Sequence, residues 1–350
     1  MNGSFKVAIS QLTSKARRAY FQLKRTLDTR ALSIKSMFIL FDSLIKPILT
    51  YASQVWLPYT SVGKSLISIN QNDESANAHL IASSAKDCFE LLHLRFLKWC
   101  LGVHKKASNI GCYGDTGRVP IGISVIDSSL KYFRRVSSLS TSDLNSLVGK
   151  SFLEQQQLNL DWFRTWNSVS EATSDQLHGQ SLIMSKFTKE WESKRLTQNK
   201  LAFYNSVKTS FGFEHYLDCK NATNRKSITR FRLSAHDLNI ERGRYTKKGK
   251  QPSLTDRVCR FCCLEEDRSN LELLEAQLAD YNPIIESEQH VLTECPGYHH
   301  LRINLSDHLK TQLLLLNFNY IFAHPILAEE LGKYLNKSFR LRNPNKIKKS

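Results

Sequence analysis

Residues 5–27 read FKVAISQLTSKARRAYFQLKRTL. Phe5, Ile9, Leu12, Ala16, Ala19, Leu23 and Leu27 recur at steps of three and four, the period of a helix with one apolar face. Lys15, Arg17, Arg18, Lys24 and Arg25 fall mostly off that face, so the helix is amphipathic and basic. A second helical pattern runs through Ile34, Met37, Phe38, Phe41, Leu44, Ile45, Ile48, Leu49, Ala52, Val55 and Trp56. A break is expected near Pro47, which lacks the N–H that continues a helix. Together the two patterns predict a packed helix pair over residues 1–60. The rest of the chain holds no strand-like alternation long enough for a large sheet and no internal repeat, so the expected class is mainly α.

Working outward, residues 61–84 are expected to form a flexible linker. The run TSVGKSLISINQNDESANAH (60–79) is rich in Ser and Asn and has little apolar surface to offset its ordering entropy. Helical spacing returns at Phe89, Leu92, Phe96, Leu97, Cys100 and Leu101, then across 125–139, 154–166 and 185–207. These make a helical connector over 85–215, with Trp162, Trp166, Phe187 and Trp191 as core. Within it GCYGDTGRVPIG (111–122) reads as a turn-rich loop. Residues 216–305 form a basic segment with a small Cys/His knuckle, and 306–350 a basic C-terminal tail. The most apolar stretch, 37–57, contains Asp42, Lys46 and Pro47, so no membrane span is expected.

The 350 residues carry 49 Lys+Arg against 32 Asp+Glu, a net charge of +17, with 41% hydrophobic residues. That hydrophobic share is enough for a folded core. Eight cysteines in this length are too dilute for a disulfide scaffold. The basic excess is concentrated. Residues 1–60 hold nine Lys/Arg against two acids, 220–260 twelve against three, and 333–350 seven against none. Three such blocks point to a polyanionic partner, because each cation near a phosphate releases condensed counterions. The chain contains no Asp-Asp dipeptide, HExxH, GxSxG or GxGxxG, and Gly63-Lys64-Ser65 lacks the earlier glycine of a phosphate-binding loop, the position being Pro58. No enzymatic activity is expected. The residues at the N-terminus lack the apolar run of a secretory signal, so an intracellular setting is expected, nuclear or cytoplasmic. Lys247-Lys248-Gly249-Lys250 and Lys346-Ile347-Lys348-Lys349 are short basic import-like runs.

One constellation has metal-ligand spacing: Cys259-Arg260-Phe261-Cys262, then His290, then Cys295. Two cysteines separated by two residues can present both sulfurs to one ion, and a His and a Cys supply the remaining tetrahedral corners. Four protein ligands imply a structural zinc ion, because no open position remains for water. Cys263 is an alternative second ligand, and His299 or His300 an alternative fourth. The intervening 263–289 contains Ser269-x-x-Glu272, a capping box, then Leu273, Leu274, Leu278 and Tyr281, so a helix is expected to carry the chain out and back.

The order of these features resembles the C-terminal portion of LINE-type non-LTR retrotransposon reverse transcriptases. Residues 230–245, RFRLSAHDLNIERGRY, resemble that family's FRxSxHxLxIExGRY segment. Cys259, Cys262, Glu286, Glu288, His290, Leu292, Cys295, Pro296, Tyr298 and Arg302 are similar to its CxxC … EDExHxLxxCPxYxxxR. LFDSLIKPILTY (40–51) with Val55-Trp56 resembles LFDxLIxPILxYGxEVW, and Gly102-Val103, Ser108-Asn109 and Gly117 to Pro120 resemble LGVxxxxSNxxVYGELGRxP. Departures are Ala52-Ser53-Gln54, where the family has a Gly and a Glu, Asp115-Thr116 in place of Glu-Leu, and the long insertion before His290.

The resemblance implies a thumb region, a helical connector and a zinc knuckle that help hold template RNA and target DNA, detached from the catalytic palm and the endonuclease. The implied partners are RNA or DNA and a polymerase-bearing chain, with no membrane and no small-molecule substrate. Arg17, Arg18, Lys24 and Arg25 are the expected phosphate contacts of the thumb-like helix. Arg230, Arg232, Arg242, Arg244, Lys247 and Lys248 are expected to follow a single strand near the knuckle. His236 and Glu241 are read as loop-fixing hydrogen-bond partners. A zinc-stabilised protein-interaction module is the alternative reading of the same residues.

Overall fold

The computed structural model describes residues 5–28, 31–67, 79–142, 146–172, 179–242, 244, 257–262 and 284–342. Among them the protein is mainly helical and holds no strand, with an isolated bridge pairing Val258 and Ile285. No helix of the described residues is long and apolar enough to cross a membrane. The chain divides into two compact units, Met1–Cys100 with Cys112–Thr197, and Leu101–Gly111 with Gln198–Ser350. The boundary thus falls near residue 197, inside the expected 85–215 connector.

In the first unit the opening helix, α1 (Lys6–Thr26), buries the stripe Ile9, Thr13, Ala16, Tyr20 and Leu23. The expected second helix is three short ones: α2 (Ile34–Leu44), α3 (Lys46–Thr50) and α4 (Ser53–Trp56). Pro47 sits in the first turn of α3, and the break precedes it, at Ile45, because the proline ring crowds the carbonyl four residues back. Phe41 of α2 stacks on Phe96, ring centroids 4.2 Å apart, with Tyr20 edge-on to Phe96. Trp162 and Trp166 both donate from Nε1 to the Gln54 carbonyl, at 2.8 and 3.2 Å. Trp166, Phe187 and Trp191 are fully buried, as the connector reading expects.

Ala52 precedes α4 in the left-handed region, φ 54°. A Cβ there is strained by about 1 kcal/mol relative to glycine. Ala52→Gly is therefore expected to raise the unfolding free energy by about that amount, read as a higher denaturation midpoint with an unchanged slope.

Two stretches expected to be irregular contain helices among their described residues. The linker span 61–84 contains helices Ser61–Leu66 and Leu80–Ser84, with Val62, Leu66 and Leu80 buried. Their first N–H groups are held by distant carboxylates: Asp87 accepts from Ser61 and Val62 at 2.9 and 3.1 Å, and Glu190 from Ile81 at 2.9 Å. An acid at a helix start satisfies donors the helix leaves unpaired. Residues 68–78 lie outside the described residues. The expected loop 111–122 begins inside helix Asn109–Thr116, in which Cys112, Tyr113 and Asp115 are buried. Its anchor is Glu90, which accepts from the Tyr113 hydroxyl at 2.6 Å and from Ile121 N–H at 2.6 Å and pairs with His93 Nδ1 at 2.8 Å. Burial there outweighs the weak helix propensity of two glycines.

In the second unit, helix Ala222–Arg232 packs on the C-terminal helix Pro325–Arg342. They cross closely at Gly332, where a Cβ would stand 2.7 Å from Asn224 Cβ and 2.9 Å from its carbonyl carbon. Residues 306–342, expected as a tail, are three helices: Asp307–Leu314, Phe318–Ala323 and Pro325–Arg342. The last buries Leu327, Ala328, Leu331, Tyr334, Leu335, Ser338 and Arg342, a stripe at helical period, and exposes Lys333, Lys337 and Arg340 opposite it. Residues 343–350 lie outside the described residues.

Candidate metal centre and basic surfaces

Cys259 follows the Val258–Ile285 bridge, and its N–H donates to the Ile284 carbonyl at 2.8 Å. The turn Cys259–Cys262 closes with a 3.3 Å bond from Cys262 N–H to Cys259 O. His290–Glu294 is a π-helical turn, and Cys295 N–H donates to His290 O at 2.8 Å. A five-residue hydrogen-bonded ring places residues His290 and Cys295 on the same side, which is how the H-x4-C spacing works.

These elements bring Cys259, Cys262, His290 and Cys295 together, their ligand atoms all within 4.8 Å of one another. Cys295 Sγ lies 3.6 Å from Cys259 Sγ and 3.8 Å from Cys262 Sγ, and Cys262 Sγ lies 3.3 Å from His290 Nε2. A tetrahedral ion with sulfur bonds of about 2.3 Å sets sulfur pairs near 3.8 Å apart. The cluster could hold a metal ion. His290 Nδ1 pairs with Glu294 Oε2 at 3.2 Å, which leaves Nε2 to face the cysteines. The hydrogen bond with Cys295 and burial push the Cys259 thiol up to about 12, while the same bond holds Cys295 below its usual value. Thiols that share protons in this way release them when a metal binds.

The surrounding packing fixes the cluster. Gly297 approaches Phe261 so closely that a Cβ would fall 2.6 Å from the Phe261 Cβ, and the Phe261 and Tyr298 rings meet edge-on at 5.1 Å. Arg302 donates to the carbonyls of Val291 and Cys295. Of the alternative ligands, His299 and His300 are exposed and outside the cluster. Cys263 and the helix expected over 263–289 up to residue 283 lie outside the described residues. Glu294 was not picked out by the ligand spacing. Its position four residues after His290, one helical turn, is the signal that could have found it.

The expected nucleic-acid contacts divide. Arg17, Arg18, Lys24 and Arg25 are all exposed on α1, as are Lys6 and Lys15, and the helix contains no acid. Arg18 and Arg25 stand on one row about 10.5 Å apart, and Arg17 and Lys24 on the adjacent row at the same spacing. Arg230 and Arg242 are exposed, and Arg230 Nε donates to Gly102 O at 2.8 Å. Arg232 is a correction. Its side chain is fully buried, paired with Glu214 at 3.1 Å and enclosed by the rings of Tyr204, Tyr216 and Phe322 at 5.6, 5.0 and 4.5 Å. A guanidinium so enclosed supports packing rather than presenting charge to a polyanion. The neighbouring Phe231 is also buried. Arg244 pairs with Glu241 at 3.1 Å, and Lys247 and Lys248 lie outside the described residues. His236 Nε2 meets Glu288 at 3.0 Å and its Nδ1 accepts from Leu238 N–H at 3.3 Å, a loop-fixing arrangement.

No protein-family model, curated protein or solved structure matches the chain.

Proposed function

We propose that the chain binds nucleic acid, as a C-terminal portion of a non-LTR retrotransposon reverse transcriptase distinct from that family's catalytic palm and endonuclease. The observation that carries this reading is α1, a helix of 21 residues with six exposed cations and no acid. A solvated helix normally mixes both signs, and a one-sign face repels itself unless a polyanion neutralises it. The bound ion is zinc, which a donor set of three cysteines and one histidine in tetrahedral spacing selects. The zinc is structural and shapes the segment that carries Arg230, Arg242 and Arg244. The chain itself catalyses no reaction. It acts in the nucleus or cytoplasm beside a polymerase-bearing chain.

Fluorescence anisotropy with single-stranded RNA across a salt series tests this. Each phosphate neutralised contributes about −0.7 to the log–log slope of affinity against salt. Replacing Arg17, Arg18, Lys24 and Arg25 together by Gln is expected to flatten the slope by about 0.7 for each phosphate no longer neutralised. These residues are exposed, so thermal unfolding should hardly move. An unchanged slope in that variant would remove α1 from the interface, and negligible RNA binding at low salt would reject the reading. The protein-interaction alternative draws on a different feature, the exposed Leu314, Leu315 and Ile326. It predicts weak RNA binding that is indifferent to zinc.

A further inference from the structure

An aromatic ring stands at the centre of the cations on α1. Phe21 follows Arg17 and Arg18 by four and three residues and precedes Lys24 and Arg25 by three and four. The helical turn puts Arg17 and Lys24 on one side of the ring and Arg18 and Arg25 on the other, each about 4.5–6 Å from it along the axis. All four are exposed, and among the described residues none of their side chains pairs with a carboxylate. Phe21 is 43% exposed, whereas Tyr20 beside it is 1% exposed. The two rings meet at 5.4 Å, and Tyr20 stands edge-on to Phe96 and Trp99 at 6.5 and 6.0 Å. The Phe21 ring is therefore backed by a fixed neighbour and open to solvent among charges.

A single exposed ring on a surface of mixed charge is ordinary. Here it is flanked by charges of one sign, and a polyanion held by both rows of cations must pass over it. Form decides what the ring then meets. A duplex turns its sugar–phosphate backbone outward and keeps its base faces stacked, so the ring finds no base surface without unstacking a step. A single strand offers those faces, and stacking on an aromatic side chain adds to the phosphate contacts whatever the base. Cations alone would favour the duplex, which carries charge about twice as densely as one of its strands. The ring shifts that balance.

We infer that α1 is a single-strand binding face on which Phe21 stacks against a base while Arg17 and Lys24 on one side and Arg18 and Arg25 on the other hold the adjoining phosphates. The inference rests on the nucleic-acid reading above and adds to it the form of the strand and a residue that selects it. Tyr20 already orients the ring, so stacking costs little side-chain freedom. Phe21 neutralises no phosphate, and its contribution therefore leaves the salt slope alone.

Anisotropy of the full chain with three labelled probes of equal length tests this: an oligothymidine strand, the same strand with abasic sites in place of its bases, and a DNA duplex. Phe21→Ala should weaken oligothymidine about tenfold, the size of one base–aromatic stack, with an unchanged salt slope. The abasic strand and the duplex should not respond to it. Phe21→Trp should keep the oligothymidine affinity, because the base-stacking surface is retained. Alanine is the strongest helix former, and circular dichroism checks that α1 persists. Oligothymidine affinity unaltered in Phe21→Ala overturns the inference, and so does an equal loss on all three probes, which would make the ring a support of the helix alone. Salt-dependent binding that ignores Phe21 leaves the nucleic-acid reading standing without this addition. Binding of no probe at low salt sinks both.

Discussion

Cys295→Ser is expected to lose stoichiometric zinc and to unfold the segments around the cluster while the first unit keeps its structure. The Cys295 thiol is fully buried between the Cys259 and Cys262 sulfurs, and its backbone joins His290 to Arg302. Zinc at a structural site contributes about 10–16 kcal/mol of apparent binding energy, and most of it is folding energy because the unfolded chain has no preformed site. A serine hydroxyl does not replace a thiolate as a zinc ligand. Three ligands then remain around a space shaped for four. Metal analysis of the purified variant and hydrogen exchange read the two effects separately. Protection should fall across 257–262 and 284–302 and persist in α1 and α2. A chelator added to the unaltered protein should reproduce the pattern, and RNA affinity should fall in parallel. Retained zinc with unchanged exchange would refute the assignment of Cys295 as a ligand.

The helix class was legible because burial follows a local period. Ile9, Ala16 and Leu23 are seven apart, and all three are buried. The metal cluster was legible for the same reason: both of its halves are short-range spacings, and only their meeting is long-range. Charge proved harder to read. Arg232 belongs to a block of twelve cations, but Glu214 and three rings from other helices enclose it, and nothing near residue 232 announces them. Arg342 misleads in the same way, since a run of cations without acids resembles a solvated tail while every third or fourth residue before it is apolar. The two ends of the expected linker 61–84 are helical, and the sequence hides this because the carboxylates that start those helices, Asp87 and Glu190, lie outside the span.

Arg342→Met should cost the second unit about 3–5 kcal/mol, the usual result of leaving one half of a buried ion pair behind. Arg342 and Glu286 are paired through Nη1 and Oε1, and the exposures of the two residues are 2% and 0%. The remaining bonds of the guanidinium reach the Asp237 carbonyl at 2.9 Å and Asn239 Oδ1 at 3.0 Å, while Glu286 Oε2 accepts from Asn239 N–H at 2.7 Å. Burial pushes the Glu286 carboxyl up, and Arg342 opposes that rise. Removing the arginine takes away the largest influence that opposes burial, ahead of the Asn239 N–H bond and His236, so the folded pKa climbs further above the unfolded value. A group raised in this way stabilises the folded state at low pH and loses that contribution as pH rises through its folded pKa. The deficit of Arg342→Met should therefore be largest at neutral pH and shrink toward the ordinary carboxyl range. Adding Glu286→Gln should recover much of it, because the stranded charge is gone. Urea unfolding of the single and double variants at neutral and mildly acidic pH decides the matter. A single variant within about 1 kcal/mol of the parent at neutral pH would mean the pair is not the lock it resembles. The consequence extends to the metal, since the Arg342 carbonyl accepts from Arg260 at 2.8 Å and the Tyr334 hydroxyl on the same helix donates to Val291 O at 2.6 Å. The helix that ends the described chain holds both halves of the Cys/His cluster, so loosening its last turn should speed zinc loss to a chelator with all four ligands intact.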